Sequence, residues 1–147
     1  MFNYSTRDLD ILARTLYGEA RGAPTGGQVA VAWVIRNRAS RARFAGDLVG
    51  DIGAVERVCL APWQFSCWNK GDPNRALLMA ADIPGYSAQL AIAGGVLEGT
   101  IPDPTDGADH YYTEAAPSWA GVWPPSWAEA MPKRTIGAHV FLDSGAR

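Results

Sequence analysis

Apolar residues near the N-terminus recur at the spacing of a single helix face. They occupy the i, i+3, i+4, i+7 and i+8 positions typical of a buried stripe, namely Leu9, Leu12, Ala13, Leu16, Tyr17 and Ala20. Ser5 and Asp8 resemble a capping box with a shortened acid, which predicts a helix start near Thr6. Gly22, followed by Pro24, predicts the helix end. We therefore predict an amphipathic first helix.

The same periodicity places Glu19 at the edge of the apolar face. At about 100° per residue, Glu19 lies roughly 20° from Leu12 around the helix axis. Partial burial disfavours the charged form of a carboxyl group and raises its pKa toward the range of a general acid. The alternative interpretation is an ordinary solvated glutamate at a helix boundary. Glu19 is thus a candidate catalytic acid in the last turn, beside a loop.

Further helices follow from the pattern along the chain. The segment from Gln28 to about Arg43 is apolar on almost all sides as far as Ile35, which indicates a central helix. Gly26 and Gly27 are interpreted as the turn that precedes it. Shorter helices are predicted at Asp51–Leu60, with Ile52, Val55, Val58 and Cys59 buried, and at Ala76–Asp82, Ser87–Glu98 and about Ser126–Met131.

Two short segments near the C-terminus have strand character. DHYYT and HVFLD alternate in side-chain direction, and we expect them to pair as a small antiparallel ribbon. Between them Trp119, Trp123 and Trp127 recur every four residues, but Pro124 and Pro125 exclude one continuous helix, which favours a loop. The predicted fold class is α+β and mostly α-helical.

The segment APWQFSCWNKGDPN combines aromatic, amide and hydroxyl side chains with turn residues. Such a loop offers flat apolar faces to sugar rings and hydrogen bonds to their polar edges, from Trp63, Gln64, Phe65, Ser66, Trp68 and Asn69. The alternative is that Phe65 and at least one tryptophan are core anchors.

Composition agrees with one domain over residues 1–147. With 147 residues, 48% of them hydrophobic, the chain can bury a sizeable core, and it leaves little length for a second domain. The net charge of −2 argues against nucleic acid as a partner. Basic residues cluster only at Arg36, Arg38, Arg41 and Arg43. We interpret this cluster as the solvated face and end of a helix, with contact to phosphate or an anionic envelope as the alternative.

Neither metal nor cofactor is predicted. Cys59 and Cys67 have no histidine at zinc-finger spacing, and we interpret them as small buried thiols, with a disulfide as the alternative. Each histidine, His110 and His139, is by itself more typical of a hydrogen-bonded structural residue than of a ligand.

The sequence shows no signal for export or for membrane insertion. MFNYSTRD lacks the basic and apolar regions of a signal peptide. The longest wholly apolar run, from Val29 to Ile35, is too short to span a bilayer. We expect synthesis in the cytoplasm and no stable insertion into a membrane.

Several blocks together resemble the bacterial cell wall hydrolase family of the spore-cortex-lytic enzymes (SleB/CwlJ type). They are LYGEARG, GGQVAVAWVIRNR, WQFSCW, DHYYT and TIGAHVF, and the resemblance extends from about Leu9 to Phe141. It implies a lysozyme-like, lytic transglycosylase-like catalytic domain acting on peptidoglycan glycan strands, with Glu19 as the acid. Family members with a germination role often carry a separate peptidoglycan-binding domain, for which this chain lacks the length.

The resemblance also implies a substrate groove. By analogy with lytic transglycosylases, Gln64 and Ser66 would hold the acetamido group of a sugar, with Trp68 in the same loop. His110 and Tyr112 would lie along the groove, whereas His139 belongs to the closing strand and is interpreted as structural.

The expected reaction is cleavage of the β-1,4 bond between N-acetylmuramic acid and N-acetylglucosamine. Glu19 would protonate the glycosidic oxygen and then accept a proton from the muramoyl C6 hydroxyl, which gives a 1,6-anhydro product. A muramidase would need a second carboxylate, at about 5–5.5 Å for retention or 6.5–9.5 Å for inversion, and Asp72 and Asp82 are candidates. A non-catalytic glycan-binding module and, more weakly, a zinc amidase using Asp109, His110 and His139 are the alternatives.

The cellular setting that fits an unexported wall enzyme is a phage or prophage endolysin. Such a protein would reach the periplasm after another protein permeabilises the membrane. We expect it to act as a monomer.

Overall fold

The computed structural model describes residues 2–118 and 120–147; Met1 and the predicted loop residue Trp119 lie outside the described residues. The described chain forms α-helices α1 (Thr6–Ala20), α2 (Thr25–Ala39), α3 (Ala42–Ala45), α4 (Ala54–Leu60), α5 (Pro73–Leu78) and α6 (Ser87–Glu98). Its strands are β1 (His110–Thr113), β2 (Lys133–Ile136) and β3 (His139–Leu142), and short 3₁₀ turns lie at Gly46–Leu48, Ser66–Trp68 and Ser126–Ala128.

The capping box predicted for the first helix is confirmed, and its acid has a second role. The Ser5 side chain accepts from the Asp8 backbone N–H (3.1 Å), and the Ser5 N–H donates to Asp8 Oδ2 (2.9 Å). The fully buried Asp8 carboxylate also accepts from the backbone N–H of Gly53 (2.9 Å) and of Glu56 (3.0 Å) at the start of α4. One carboxylate therefore satisfies N-terminal amides of two helices.

The central helix α2 is confirmed, with shifted ends. It begins three residues before the predicted Gln28, so Gly26 and Gly27 lie in its first turn, and their interpretation as a separate turn is wrong. A Cβ on Gly26 would meet no atom within 4 Å, so no close contact of the backbone requires a glycine at this position. The helix ends at Ala39, and the separate short helix α3 covers only Ala42 and Arg43 of the predicted remainder.

Two arginines of the basic cluster are buried, so the interpretation of that cluster as a solvated face is wrong for them. Arg41 is 9% exposed and pairs with Asp109 (2.9 Å) and Asp143 (3.3 Å), which ties the end of α2 to the C-terminal sheet. Arg38 is 7% exposed. A long apolar stem allows an arginine to be buried in this way when its head group finds partners.

The predictions for the three following helices differ in accuracy. Helix α4 begins at Ala54, so Ile52 precedes it and is 58% exposed rather than buried. Helix α5 begins at Pro73 instead of Ala76, because Asp72 accepts from the Asn74 N–H (2.8 Å) as N-cap and proline suits the first helical position. Helix α6 has the predicted limits.

The predicted antiparallel ribbon is confirmed and extended by one strand. His110 lies opposite Leu142 in the β1–β3 pair, and the sheet order is β1-β3-β2. Strand β2 was not predicted, and it joins β3 through a two-residue turn in which Gly137 has φ +59°. In place of the helix predicted at about Ser126–Met131, a 3₁₀ turn covers Ser126–Ala128.

The hydrophobic core lies between α1, α2, α4 and α6 and extends to the sheet through β3. Its largest fully buried side chains include Leu12, Leu16, Ile35, Val96 and Phe141. The predicted mostly helical α+β class is confirmed. Within the described ranges, none of the helices is sufficiently long and apolar to cross a bilayer.

The double cap at Asp8 gives a testable expectation. Asp8→Ala removes acceptors from both α1 and α4 and leaves buried amides unpaired, so we expect the free energy of unfolding to fall by about 2–3 kcal/mol. Chemical denaturation measures the change. The control is Asp47→Ala, which removes an exposed carboxylate paired with Arg57 and should leave stability nearly unchanged; an equally small effect of Asp8→Ala would contradict the double cap.

Candidate active site

Glu19 lies in the last turn of α1 and faces the 3₁₀ turn Ser66–Trp68. Its side chain is partly buried. The backbone and the thiol of Cys67 and the backbone of Ser66 lie close enough to its carboxylate to lower its pKa. The helix boundary and the WQFSCW loop, which are separated by more than 40 positions in sequence, therefore meet at this carboxyl group.

Opposing effects act on the pKa of Glu19. Burial raises it and is the largest influence, while the hydrogen bonds from Cys67 lower it, and the negative charge of Asp72 raises it further. The net effect places the pKa of Glu19 above the ordinary value of a glutamate. A carboxyl group of this kind keeps its proton to higher pH, as a general acid requires.

Gly18 allows the close approach between α1 and the 3₁₀ turn. A Cβ at this position would lie 2.7 Å from Cys67 Cβ, 2.8 Å from Leu78 Cδ1 and 2.9 Å from Cys67 Sγ. Real Cβ atoms do not tolerate such distances, so any side chain larger than hydrogen would push the turn away from the helix. The glycine of YGEARG thus keeps the turn close to Glu19.

Both cysteines are buried free thiols, as the favoured interpretation held. Burial raises the pKa of Cys59 to about 12, and burial together with the nearby Glu19 raises that of Cys67. A thiol in this state is a poor nucleophile, because the reactive form is the thiolate.

The loop before the 3₁₀ turn exposes two predicted binding residues and buries another side chain. Gln64 and Ser66 are both exposed, and Ser66 belongs to the turn that faces Glu19. Gln64 Oε1 accepts from Arg38 Nη1 (3.3 Å). Phe65 is buried in the core, as its alternative interpretation held, whereas Trp63 is 83% exposed and presents its ring to solvent.

Trp68 is placed differently from Gln64 and Ser66. Its ring packs against the core, and its Nε1–H donates to Oγ1 of the buried Thr15 (2.9 Å). It lines a cavity of about 560 Å³ together with Asp10, Arg14 and Leu78, and Glu19 does not line this cavity. The structure therefore does not bring Trp68 together with the acid, and its role in substrate binding stays a prediction.

Strand β1 separates its aromatic residues onto two faces. His110 Nδ1 contacts Asp109 Oδ1 (2.8 Å), and the His110 ring packs against Trp127 at 5.4 Å between centroids. Tyr112 lies two residues further on the same face and also contacts Trp127. The binding roles of His110 and Tyr112 stay predictions.

Tyr111, on the opposite face of β1, is the aromatic residue coupled to the acid. Burial is the main cause that raises the pKa of Tyr111, and the negative charge of Glu19 adds to it. Sequence reasoning did not select Tyr111. The alternation of side chains along a strand could have identified it. His110 and Tyr112 share one face of β1, so a site on the other face contains Tyr111 instead.

One of the two proposed second carboxylates lies near Glu19. Asp72 raises the pKa of Glu19, whereas Asp82 acts on Tyr86 on another part of the surface. The sequence alone did not distinguish these two aspartates.

The described residues offer no preformed metal centre. In residues 2–118 and 120–147, no group of three or more His, Cys, Asp or Glu side chains is arranged to hold a metal ion. Asp109 is engaged by Arg41, Ser144 and His110. Burial raises its pKa, but the hydrogen bonds with His110 and Ser144 outweigh this effect and lower it.

The Gly18 contact can be tested without reference to activity. Gly18→Ala forces the Ser66–Trp68 turn away from α1, and we expect a loss of about 1–3 kcal/mol in the free energy of unfolding, because overpacking strains a rigid contact. The matched control is Gly22→Ala, whose Cβ would meet no atom within 4 Å. Equal stability of the two variants would show that the turn moves freely and that the close approach is not a constraint.

Comparison with known proteins assigns a family to the chain. Residues 22–142 match a family model described as Cell Wall Hydrolase. A spore cortex-lytic enzyme of Oceanobacillus iheyensis is 51% identical over 140 residues, which are 94% of this chain and 42% of that protein. One from Halalkalibacterium halodurans is 33% identical over 142 residues, or 95% of this chain and 36% of the relative. The chain thus spans less than half the length of these relatives.

Solved structures share the fold. The crystal structure of the catalytic domain of the Bacillus cereus SleB protein has a TM-score of 0.70 at 30% identity, covering 95% of this chain and 92% of that one. The catalytic domain of the germination-specific lytic transglycosylase SleB from Bacillus anthracis has a TM-score of 0.68, also at 30% identity, and covers 95% and 97%. The predicted lysozyme-like fold is confirmed, and the chain belongs to the cell wall hydrolase family.

Proposed function

We propose that this protein cleaves the glycan strands of peptidoglycan at the β-1,4 bond between N-acetylmuramic acid and N-acetylglucosamine. The observation that carries the proposal is the position of Glu19, partly buried with a raised pKa and facing the turn that contains the exposed Ser66. Membership of the cell wall hydrolase family supports the substrate class. The matched family segment begins at residue 22, so the role of Glu19 depends on its geometry.

The proposed reaction needs one carboxyl group. Glu19 in its protonated form donates to the glycosidic oxygen as the bond to the anomeric carbon breaks. The resulting carboxylate then accepts the proton of the muramoyl C6 hydroxyl, whose oxygen bonds to the anomeric carbon and gives the 1,6-anhydro product. The similar Bacillus anthracis domain, described as a lytic transglycosylase, supports this course over net hydrolysis.

Exposed polar groups of the WQFSCW loop suit a sugar that carries an acetamido group. We propose that Gln64 and Ser66 bind this group, since an amide and a hydroxyl match its donor and acceptor. The exposed ring of Trp63 offers an apolar face in the same loop. His110 and Tyr112 extend the proposed surface along β1.

A second candidate reaction is hydrolysis by a muramidase mechanism. It is favoured by the effect of Asp72 on the pKa of Glu19, because a retaining or inverting hydrolase uses a second carboxylate near the acid. Asp72 also accepts from the Asn74 N–H as the N-cap of α5. This N-cap bond is a structural role for Asp72 that needs no catalytic function, so the presence of Asp72 is equally compatible with the first mechanism.

Glu19→Gln tests the acid. We expect cleavage of purified peptidoglycan to fall by about 10²–10⁴-fold, the usual contribution of general acid catalysis, with an unchanged circular dichroism spectrum. Near-normal turnover would remove Glu19 from the mechanism and favour the alternative of a non-catalytic glycan-binding module.

The same substitution has an expected effect on stability that depends on pH. Because the pKa of Glu19 is raised in the folded state, that state binds the proton more tightly than the unfolded chain does. The stabilisation from this proton is complete below the ordinary glutamate pKa and disappears as the pH rises through the folded value. At pH 7, Glu19→Gln should therefore be as stable as the wild type or more stable in thermal denaturation. A clear loss of stability would indicate a structural ion pair.

Product analysis distinguishes the two reactions. A transglycosylase releases 1,6-anhydromuramoyl ends, which mass spectrometry detects as products lighter by one water than those of a muramidase. Asp72→Asn should leave the anhydro product intact and move the alkaline limb of the pH profile to lower pH, because it removes a charge that raises the pKa of Glu19. Complete loss of turnover in folded Asp72→Asn would favour the muramidase.

The single-domain organisation, the monomeric state and the endolysin role stay predictions from the sequence. Expression of the chain with and without a membrane-permeabilising protein tests the last of these. Lysis of the culture only when both are present is the expected result.

A further inference from the structure

A cavity of about 320 Å³ lies between the end of α2, α3, α4 and the loop that contains Gln64. It is lined by Arg38, Arg43, Phe44, Val58, Ala61 and Gln64. The lining thus contains two guanidinium groups and one amide over an apolar base, and none of its residues is acidic. Cavities with this composition suit a ligand that has both an anionic group and apolar or neutral parts.

Arg38 is the unusual residue in this cavity. It is 93% buried, and its Nε donates to the Asp109 carbonyl oxygen (2.7 Å) while its Nη1 makes a long contact with Gln64 Oε1 (3.3 Å). Within the described part of the chain, no carboxylate lies within 4 Å of its guanidinium nitrogens. The rings of Phe44 and Phe65, at 5.3 and 5.6 Å, provide cation–π contacts only.

Arg41 is a buried arginine of the same protein that, unlike Arg38, forms ion pairs. It lies three residues later, is equally buried, and has two carboxylate partners. A buried cation with no carboxylate in direct contact is costly, and an anionic ligand would supply the missing contact. Burial lowers the pKa of Arg38, but an arginine stays charged at neutral pH.

Arg43 adds a second cation at the open side. Its side chain is exposed, and among the described residues it has no carboxylate within 4 Å. Only its backbone N–H is engaged, with the backbone oxygen of Arg147 (3.2 Å). The guanidinium is therefore available to a ligand that enters the cavity.

The cavity is close to the proposed site of cleavage. Gln64 lines it and precedes Cys67, which contacts Glu19, by three residues, a reach of at most about 10 Å. Arg38 also influences the pKa of Tyr111, which in turn is affected by Glu19. The loop thus connects the cavity to the turn that contacts Glu19 over a short span of chain.

We propose that this cavity binds the carboxylate of the peptide substituent carried by N-acetylmuramic acid, with Arg38 and Arg43 as its cationic partners. The proposal rests on the proposed function, because it takes the peptidoglycan glycan as the substrate. It assigns to the basic cluster of the sequence a role in recognising the substituted sugar. The apolar lining from Phe44, Val58 and Ala61 contacts the aliphatic part of the same peptide.

The test measures binding to the wild-type protein, because the probe has no β-1,4 bond to cleave. The probe is muramyl dipeptide, N-acetylmuramyl-L-alanyl-D-isoglutamine, and the matched control ligand is the same compound with its carboxylate converted to an amide. NMR titration should show weaker binding of the amide, and Arg43→Met should lower the affinity for the acid about fivefold without changing that for the amide.

A control variant removes the same charge elsewhere. Arg7→Met eliminates an exposed arginine that pairs with Glu56 and lines a different cavity, and it should leave both affinities unchanged. Arg38→Met should lower the affinity for the acid tenfold or more if it folds. If it does not fold, the comparison of Arg43→Met with Arg7→Met decides the question.

Three results would overturn the proposal. They are equal binding of the acid and the amide, equal effects of Arg43→Met and Arg7→Met, and displacement of muramyl dipeptide by inorganic phosphate at the same concentration, which would indicate a general anion site. The proposed function fails separately, if Glu19→Gln still cleaves peptidoglycan. Loss of cleavage in Glu19→Gln with any of the three results leaves the enzyme assignment and removes only the carboxylate site.

Discussion

The contact between Gly18 and the Ser66–Trp68 turn is the constraint on which the candidate site depends. A helix end and a distant loop meet there with no space for a methyl group. Because the residue next to Gly18 is Glu19, the same contact that packs the core also determines what surrounds the carboxyl group. Asp8 supports this arrangement from the other end of α1, where its buried carboxylate joins the starts of α1 and α4. The acid therefore lies on a helix that is held at both ends.

The chemistry at Glu19 results from two environments acting on one carboxyl group. The buried side of α1 removes water and favours the protonated form, while the amides and thiol of the turn favour the carboxylate. An acid that must first donate and later accept a proton needs both forms to be accessible. Burial alone would hold the proton too firmly, and hydrogen bonds alone would release it too early. The position at the end of the apolar stripe, rather than at its centre, provides the balance.

Local patterns predicted most of the helices, and the failures share a physical cause. The capping box at Ser5, the apolar stripe of α1 and the limits of α6 depend on neighbours in sequence, and all three were confirmed. The burial of Arg38 and the identity of Tyr111 as the aromatic residue coupled to Glu19 depend on which segments meet in space. The spacing of the arginines along α2 does not show that residues next to the sheet will cover Arg38. Strand β2 was missed for the same reason, since its exposed residues have no apolar alternation and pair only because β3 lies beside them.

Asp109 connects the electrostatics of the sheet with the far end of α2. Its carboxylate receives Arg41, Ser144 and His110, while its carbonyl oxygen receives Arg38. Burial raises the pKa of this carboxylate, but its hydrogen bonds with His110 and Ser144 lower it below the ordinary value. The stability it contributes is therefore complete above the ordinary aspartate pKa and is lost progressively as the pH falls from there toward the folded value. Glu19 has the opposite pH dependence. Acidification to just above the ordinary aspartate pKa therefore favours the protonated form of Glu19 while the contacts that attach the last strand stay intact.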